Sequence, residues 1–118
     1  MITVEEKKQN VPKLRFPEFG GTWETGTINS LNFQISDGNY GELYPKVDQF
    51  SGTGVPFIRA NNLKDGRVTW ADMRFIPADL HSILISGHLE EDDVLVTTRG
   101  DIGIVSIVGH EFSGANIN

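Results

Sequence analysis

Arginine, lysine and amide side chains concentrate at three places in the sequence where contact with a nucleic acid is chemically reasonable. The densest group lies within nine positions and comprises Arg59, Asn61, Asn62, Lys64 and Arg67. A predicted turn carries Thr98 and Arg99, and a glycine-rich loop carries Tyr40, Tyr44, Lys46 and Gln49. Arginine can bond guanine through two donors, Asn or Gln can bond adenine, and Lys, Arg and Thr can hold phosphates. These residues are our candidates for DNA contact, although the stretch NNLKDG at positions 61–66 is equally typical of a simple turn.

The sequence lacks the motifs that carry common catalytic chemistry. It contains neither GxxxxGK[ST] nor GxGxxG, the signatures of nucleotide-binding loops, and it lacks the GxSxG signature of serine hydrolases. The three histidines, at positions 81, 88 and 110, show no metal-ligand spacing, and HExxH is absent. We therefore expect no enzyme activity, no cofactor and no metal. A small hydrolase that uses Asp and His is the least favoured alternative.

The composition indicates one small acidic domain. The chain has 118 residues, with 10 Lys and Arg against 16 Asp and Glu, which gives a formal net charge of −6. This balance argues against a protein that coats nucleic acid without sequence preference, but it is compatible with a local basic face. The absence of cysteine excludes disulfides and Cys-ligated zinc. No apolar run approaches the ~20 residues that span a bilayer, and we expect a cytoplasmic protein with no membrane partner.

The charged residues are unevenly distributed along the chain. Residues 42–74 hold five basic and four acidic groups, whereas residues 75–118 hold seven acidic groups and one basic group, Arg99. Four of those acidic groups form the run EEDD at positions 90–93. Such a run is typical of a solvated turn, and contact with a basic partner surface is the alternative.

Short strands are the elements predicted to position the candidate residues. We expect a flexible arm over residues 1–10 and one domain over residues 11–118. The patterns predict a long loop over 37–54 and strands over 33–36, 55–60, 67–70 and 73–76, with helices over 25–31 and 77–85. Two β-branched runs, at 94–98 and 104–108, predict a hairpin with Arg99 near its tip. The expected class is α+β, a sheet-rich mixed domain with β-hairpins and one or two short helices.

Five ordered blocks resemble the first target-recognition domain of type I restriction–modification specificity subunits. They are VPKLRFPEFGGTWE (11–24), DGNYGELYP (37–45), GVPFIRANNLKDG (54–66), LEEDDVLVTTRGDIG (89–103) and GANIN (114–118). Together they extend over nearly all of residues 11–118. Two features depart from the family: Asp92 stands where glycine is usual, and we expect the recognition domain to be incomplete at its C-terminus, without the spacer helix of the family.

The resemblance implies a non-catalytic DNA-reading component. It implies a sheet-rich α+β fold with loops that enter the major groove and read one half of a bipartite target. The implied partners are double-stranded DNA, methyltransferase (modification) subunits and, through the complex, a restriction and motor subunit. Methyl transfer, S-adenosylmethionine binding and ATP hydrolysis would belong to those other subunits. Because the net charge is −6, we expect weak DNA binding by this chain alone.

The alternative is a protein-interaction module. A truncated recognition domain has an unpaired strand edge, and such an edge favours self-association into a homodimer or docking onto a methyltransferase subunit without DNA readout.

Overall fold

The computed structural model describes residues 11–118, so the arm predicted over residues 1–10 lies outside the described residues. The described chain belongs to two compact units, one ending at Ile35 and the other running from Ser36 to Asn118. Among residues 11–118, no helix is long and apolar enough to cross a membrane.

The unit that ends at Ile35 is largely irregular. The helix predicted over 25–31 is reduced to one 3₁₀ turn, Asn29–Leu31, and the strand predicted over 33–36 is absent. The hydroxyl of Ser30 donates to the carbonyl of Thr27 at 2.8 Å and accepts from the backbone N–H of Thr27 at 2.9 Å. Such side-chain bonds compete with a helical ladder, and the left-handed Asn32 (φ 58°) then ends the turn.

The second unit confirms the sheet-rich α+β class. Along the chain it contains β1 (Val55–Ile58), β2 (Leu63–Lys64), β3 (Arg67–Val68), β4 (Arg74–Ile76), α1 (Ala78–Ile83), β5 (Val94–Val96), β6 (Val105–Ile107) and β7 (Asn116–Ile117). Further 3₁₀ turns span Gly41–Leu43, Val47–Gln49, Ala60–Asn62 and His110–Phe112. The hairpin predicted over 94–108 and the helix predicted after Pro77 are present, each shorter than expected.

The strands form two mixed sheets. The central sheet has the order β4-β1-β7, in which β1 runs antiparallel to β4 and parallel to β7. The outer sheet has the order β2-β3-β6-β5, in which β3 and β6 are parallel and the other pairs are antiparallel. Both parallel pairings join segments that are far apart in sequence.

Strand β1 is buried on both faces and organises the core. Phe57 packs on one side with Ile76, Leu80 and Leu84, and Ile58 packs on the other with a cluster that includes Val68, Leu95, Val108 and Phe112. Because Val68 and Leu95 belong to the outer sheet, that sheet covers the Ile58 face of the central sheet. The opposite face is covered by α1 and the loop residues Tyr44 and Phe50.

We expect the replacement Ile58→Ala to destabilise the protein strongly. Ile58 is 2% exposed between the two sheets, so truncation removes buried methyl groups and leaves a cavity. The expected loss in the free energy of unfolding is about 2–5 kcal/mol. Ile85, which is 86% exposed, offers the matched control, and Ile85→Ala should change stability by less than about 0.5 kcal/mol. Urea unfolding of both variants tests this, and equal losses would contradict the core assignment.

Candidate nucleic-acid interface

Two turns project from the same end of the outer sheet. One is the Asp65–Gly66 turn between β2 and β3, and the other is the connection from β5 to β6, residues 97–104. Each turn precedes a strand of the parallel β3–β6 pair, and parallel strands begin at the same end of a sheet. The N–H of Ile107 donates to the carbonyl of Gly66 at 2.9 Å, which ties the first turn to β6. We call this edge the turn end of the outer sheet.

The Asp65–Gly66 turn has the geometry that its sequence favours. Both residues have positive φ, 53° and 77°, as a two-residue hairpin loop of type I′ requires. Across the hairpin Lys64 lies directly opposite Arg67, and both side chains are exposed. Like charges in opposite positions repel each other, and neither cation has an ion-pair partner among the described residues. An anion placed between them would relieve that repulsion.

Thr97 determines the shape of the turn that carries Thr98 and Arg99. Its hydroxyl donates to the carbonyl of Asp101 and accepts from the N–H of Ile104 at 2.9 Å. Its backbone carbonyl accepts from the N–H of Gly103 at 2.9 Å. Thr97 is buried, whereas Thr98 and Arg99 are exposed on the turn that it holds. Four of our candidates therefore lie on or beside the two turns: Lys64 and Arg67 flank the Asp65–Gly66 turn, and Thr98 and Arg99 lie on the 97–104 connection.

Arg59, Asn61 and Asn62 lie at the other end of the β2–β3 hairpin. Asn62 is fully buried, and its side-chain amide donates to the carbonyls of Thr69 (3.2 Å) and Ala71 (2.8 Å). Its side-chain oxygen accepts from the N–H of Arg59 at 3.0 Å. We therefore remove Asn62 from the candidates for DNA contact, because its side chain is buried and its polar groups already bond within the fold.

Arg59 and Asn61 differ from Asn62 in exposure. Arg59 is half-buried, and its guanidinium donates to the carbonyl of Asp72 at 2.7 Å, which holds the segment after β3 in place. Asn61 is exposed. Neither residue belongs to the turn end.

The glycine-rich loop lies against the central sheet. Tyr44 is half-buried and meets the ring of Phe57 edge-on, with the ring centroids 5.8 Å apart. The side chain of Gln49 accepts from the N–H of Lys46 at 2.8 Å, which closes the 3₁₀ turn Val47–Gln49. Tyr40 and Lys46 are exposed, but the structure does not bring them to the turn end.

A shallow groove of about 480 Å³ adjoins Tyr40. It is lined by Asp37, Asn39, Tyr40, Glu42, Leu43, Ile85 and Ser86. Its two carboxylates would repel phosphates, so the groove is a poor site for a nucleic-acid backbone. Within residues 11–118, no three His, Asp or Glu side chains come close enough to share a metal ion.

Charged side chains are placed unevenly on the outer sheet. The two turns carry or adjoin Lys64, Arg67 and Arg99, together with two carboxylates, Asp65 and Asp101. Because Val94 and Arg67 are both in register with Ile107, the Lys64–Arg67 pair is level with the first residue of β5. The acidic run 90–93 directly precedes β5, at the end of the β5–β6 hairpin opposite Arg99. There Glu91 contacts His110 at 3.0 Å, and this hydrogen bond raises the pKa of His110. The chain is acidic overall, but among residues 11–118 three exposed cations without an ion-pair partner, Lys64, Arg67 and Arg99, lie on or beside the two turns.

Comparisons with protein-family models, with curated proteins and with solved structures found no match for this chain.

Neighbouring asparagines 61 and 62 should respond very differently to truncation. Asn62→Ala removes three hydrogen bonds from a fully buried site and leaves two carbonyls and one N–H without partners. We expect a loss of about 2–4 kcal/mol in the free energy of unfolding. Asn61→Ala, at an exposed position in the same 3₁₀ turn, should cost less than about 0.5 kcal/mol. Thermal or urea unfolding of the pair is the measurement; a stable Asn62→Ala protein would return Asn62 to the list of DNA-contact candidates.

Proposed function

We propose that this chain is a sequence-specific DNA-recognition domain that contacts the duplex through the turn end of the outer sheet. The observation that carries the proposal is the pair of turns that point the same way from the outer sheet, with the exposed cations Lys64 and Arg67 beside one turn and Arg99 on the other. The acidic run lies at the end of the β5–β6 hairpin opposite Arg99, so DNA would attract the Arg99 end of that hairpin and repel the other.

The β5–β6 hairpin suits the dimensions of the major groove. That groove admits a two-stranded β-ribbon but not a four-stranded sheet, so β5–β6 would enter it through the 97–104 connection while β2–β3 lies beside it against the DNA backbone. We assign base reading to Arg99, whose turn is held rigid by Thr97, since a bidentate contact to guanine needs a positioned guanidinium. Lys64 and Arg67 would hold a phosphate between them, and Thr98 would add a hydroxyl donor.

The biological setting proposed here comes from the sequence blocks that resemble type I specificity subunits. In that setting the domain reads one half of a bipartite target in the cytoplasm, and it carries no catalytic group of its own. Methyltransferase subunits would bind beside it and a restriction and motor subunit would join through the complex. The net charge of −6 makes the isolated chain a weak DNA binder.

One observation favours a second candidate, a protein-interaction module. Val94, Val96, Val105 and Ile107 are each at least half exposed, and their strand pairing places all four on the outer face of the outer sheet. A row of exposed aliphatic side chains is typical of a docking surface for another protein, either a second copy or a methyltransferase subunit. Sedimentation of the chain without DNA would distinguish self-association from DNA reading.

Arg99→Ala should relax sequence preference. Loss of a bidentate base contact costs about 1–3 kcal/mol at the base concerned and little at other positions. Binding of the purified chain to a library of duplexes at low salt, followed by sequencing of the bound fraction, measures the preference. Lys46→Ala removes an exposed cation away from the turn end and serves as the control, with no change of preference expected. If wild type and Arg99→Ala select the same sequences with the same strength, Arg99 does not read bases.

Lys64→Ala should weaken binding to all duplexes alike. A lost phosphate contact lowers the slope of log Kd against log salt by about 1 without altering the preferred sequence. Fluorescence anisotropy with the preferred and a scrambled duplex over a range of salt concentrations gives both quantities. An unchanged salt slope, or a loss confined to one duplex, would contradict the phosphate role.

A further inference from the structure

Two histidines form a continuous hydrogen-bonded chain with two buried asparagines at the back of the central sheet. His81 lies on α1, and His88 follows it after one connecting segment. Asn116, in β7, is fully buried, and Asn39, in the glycine-rich loop, is 7% exposed. These hydrogen bonds run from the carbonyl of Ile117 to the carbonyl of Leu84, and they join the glycine-rich loop, β7, α1 and the segment 84–88. We call it the histidine–asparagine chain.

The two terminal carbonyls dictate the direction of every hydrogen bond in this chain. The amide nitrogen of Asn39 donates to the carbonyl of Ile117 at 2.8 Å and also to the side-chain oxygen of Asn116. The amide nitrogen of Asn116 therefore faces His81 and donates to its Nδ1 at 3.1 Å. At the other end, Nε2 of His88 lies 2.7 Å from the carbonyl of Leu84 and must carry a hydrogen.

Only neutral imidazoles satisfy this arrangement. Because Nδ1 of His81 accepts, the single ring hydrogen of His81 is on Nε2, which lies 3.2 Å from Nδ1 of His88 and donates to it. Nδ1 of His88 then accepts, and its own hydrogen is on Nε2. A proton added to either ring goes to Nδ1, where it meets the amide of Asn116 or the N–H of His81. Two donors then face each other and one link of the chain is lost.

The surroundings of His81 offer an added charge no compensation, whereas the side chain of His88 is exposed. Burial and then the neighbouring His88 lower the pKa of His81 from its ordinary value of 6.5. The titratable groups on the adjoining elements are Asp79 on α1 and Asp37 and Glu42 beside the groove, and none of these carboxylates contributes to that shift. The two imidazole ring centroids are 4.3 Å apart, so two protonated rings would repel each other directly.

Backbone hydrogen bonds beside the histidine–asparagine chain connect the same segments to β7. The N–H of Ile117 donates to the carbonyl of Gly87 at 3.1 Å, and the N–H of Asn39 donates to the carbonyl of Ile117 at 3.3 Å. Gly87 lies directly against the asparagines: a Cβ there would be 2.5 Å from Nδ2 of Asn39, and its φ is +78°. The contact is thus close enough that displacement of one member must disturb the others.

We propose that the histidine–asparagine chain is a pH-operated latch, closed when His81 is neutral and opened by its protonation, which frees β7 and the loop at Asn39. This inference concerns the rear of the central sheet and is independent of the proposed DNA contact. The direction of the pH dependence follows from the lowered pKa of His81. The open state takes up the proton more readily, so the latch is fully closed above about pH 6.5 and loses stability as the pH falls below that value.

Amide hydrogen exchange of the full chain at pH 7.5 and pH 5.0 tests the latch. After correction for intrinsic exchange rates, the N–H groups of Asn39 and Ile117 should lose protection at pH 5.0, by up to about tenfold for each pH unit between the open-state and closed-state pKa of His81. The N–H of Phe57 in β1, which faces β4 and not β7, reports on global unfolding and should lose much less. Equal protection of Asn39 and Ile117 at both pH values would overturn the proposal.

A variant pair isolates the cause of that loss. His81→Gln combined with His88→Gln retains an acceptor oxygen and a donor nitrogen at each position but cannot titrate in this range, so protection at pH 5.0 should match that at pH 7.5. His110→Gln is the control, because His110 is an exposed histidine paired with Glu91 away from the latch, and this variant should open like wild type. A double variant that loses protection as wild type does would show that other groups open the segment.

The ring nitrogens of the wild-type protein provide a readout that needs no variant. At pH 7.5, ¹⁵N chemical shifts should identify His81 and His88 both as Nε2–H tautomers, with His81 titrating below His110. An Nδ1–H tautomer at either residue would contradict the direction of the chain, and with it the latch.

Discussion

The parallel pairing of β3 with β6 is the constraint on which the candidate interface depends. The two strands meet at one register position, Arg67 opposite Ile107, and the N–H of Ile107 bonds to the carbonyl of Gly66. Had these strands run antiparallel, the two turns would lie at opposite ends of the sheet. The parallel arrangement instead points both turns the same way, so that the Lys64–Arg67 pair and Arg99, which are far apart in sequence, lie on turns with a common direction. Net charge alone would not indicate such a surface.

Local patterns predicted much of the fold. The β-branched runs around residues 99–103 form the predicted hairpin, and Asp65–Gly66 forms the predicted turn. Pro56 would favour an edge position, yet β1 is the central strand. The structure tolerates this proline because β7 pairs only with Phe57 and Ile58. The parallel pairings were not predictable, since they depend on contacts between segments far apart in sequence rather than on periodicity.

The sequence predicted part of the candidate site. What it could not predict is which of two adjacent residues of the same type is buried. Asn61 and Asn62 are identical in type and adjacent, but one is exposed and the other is fully buried. Thr97 and Thr98 show the same contrast. For the threonines, alternation offers a signal, because Leu95 and Thr97 share the inward side of the strand direction. For the asparagines no such signal exists, because a 3₁₀ turn follows β1 and breaks the alternation.

The late position of β7 has a consequence for the order in which the molecule acquires its structure. The ribosome synthesises β1 when about half of the chain has been made, but the parallel partner of β1 is the later strand Asn116–Ile117. A chain emerging from a ribosome therefore carries Phe57 and Ile58 for some sixty residues of synthesis before the central sheet has its third strand. Topologies dominated by such distant partners fold slowly, so nascent chains of this protein expose aromatic and aliphatic surface to chaperones for longer than a helical bundle of equal size would.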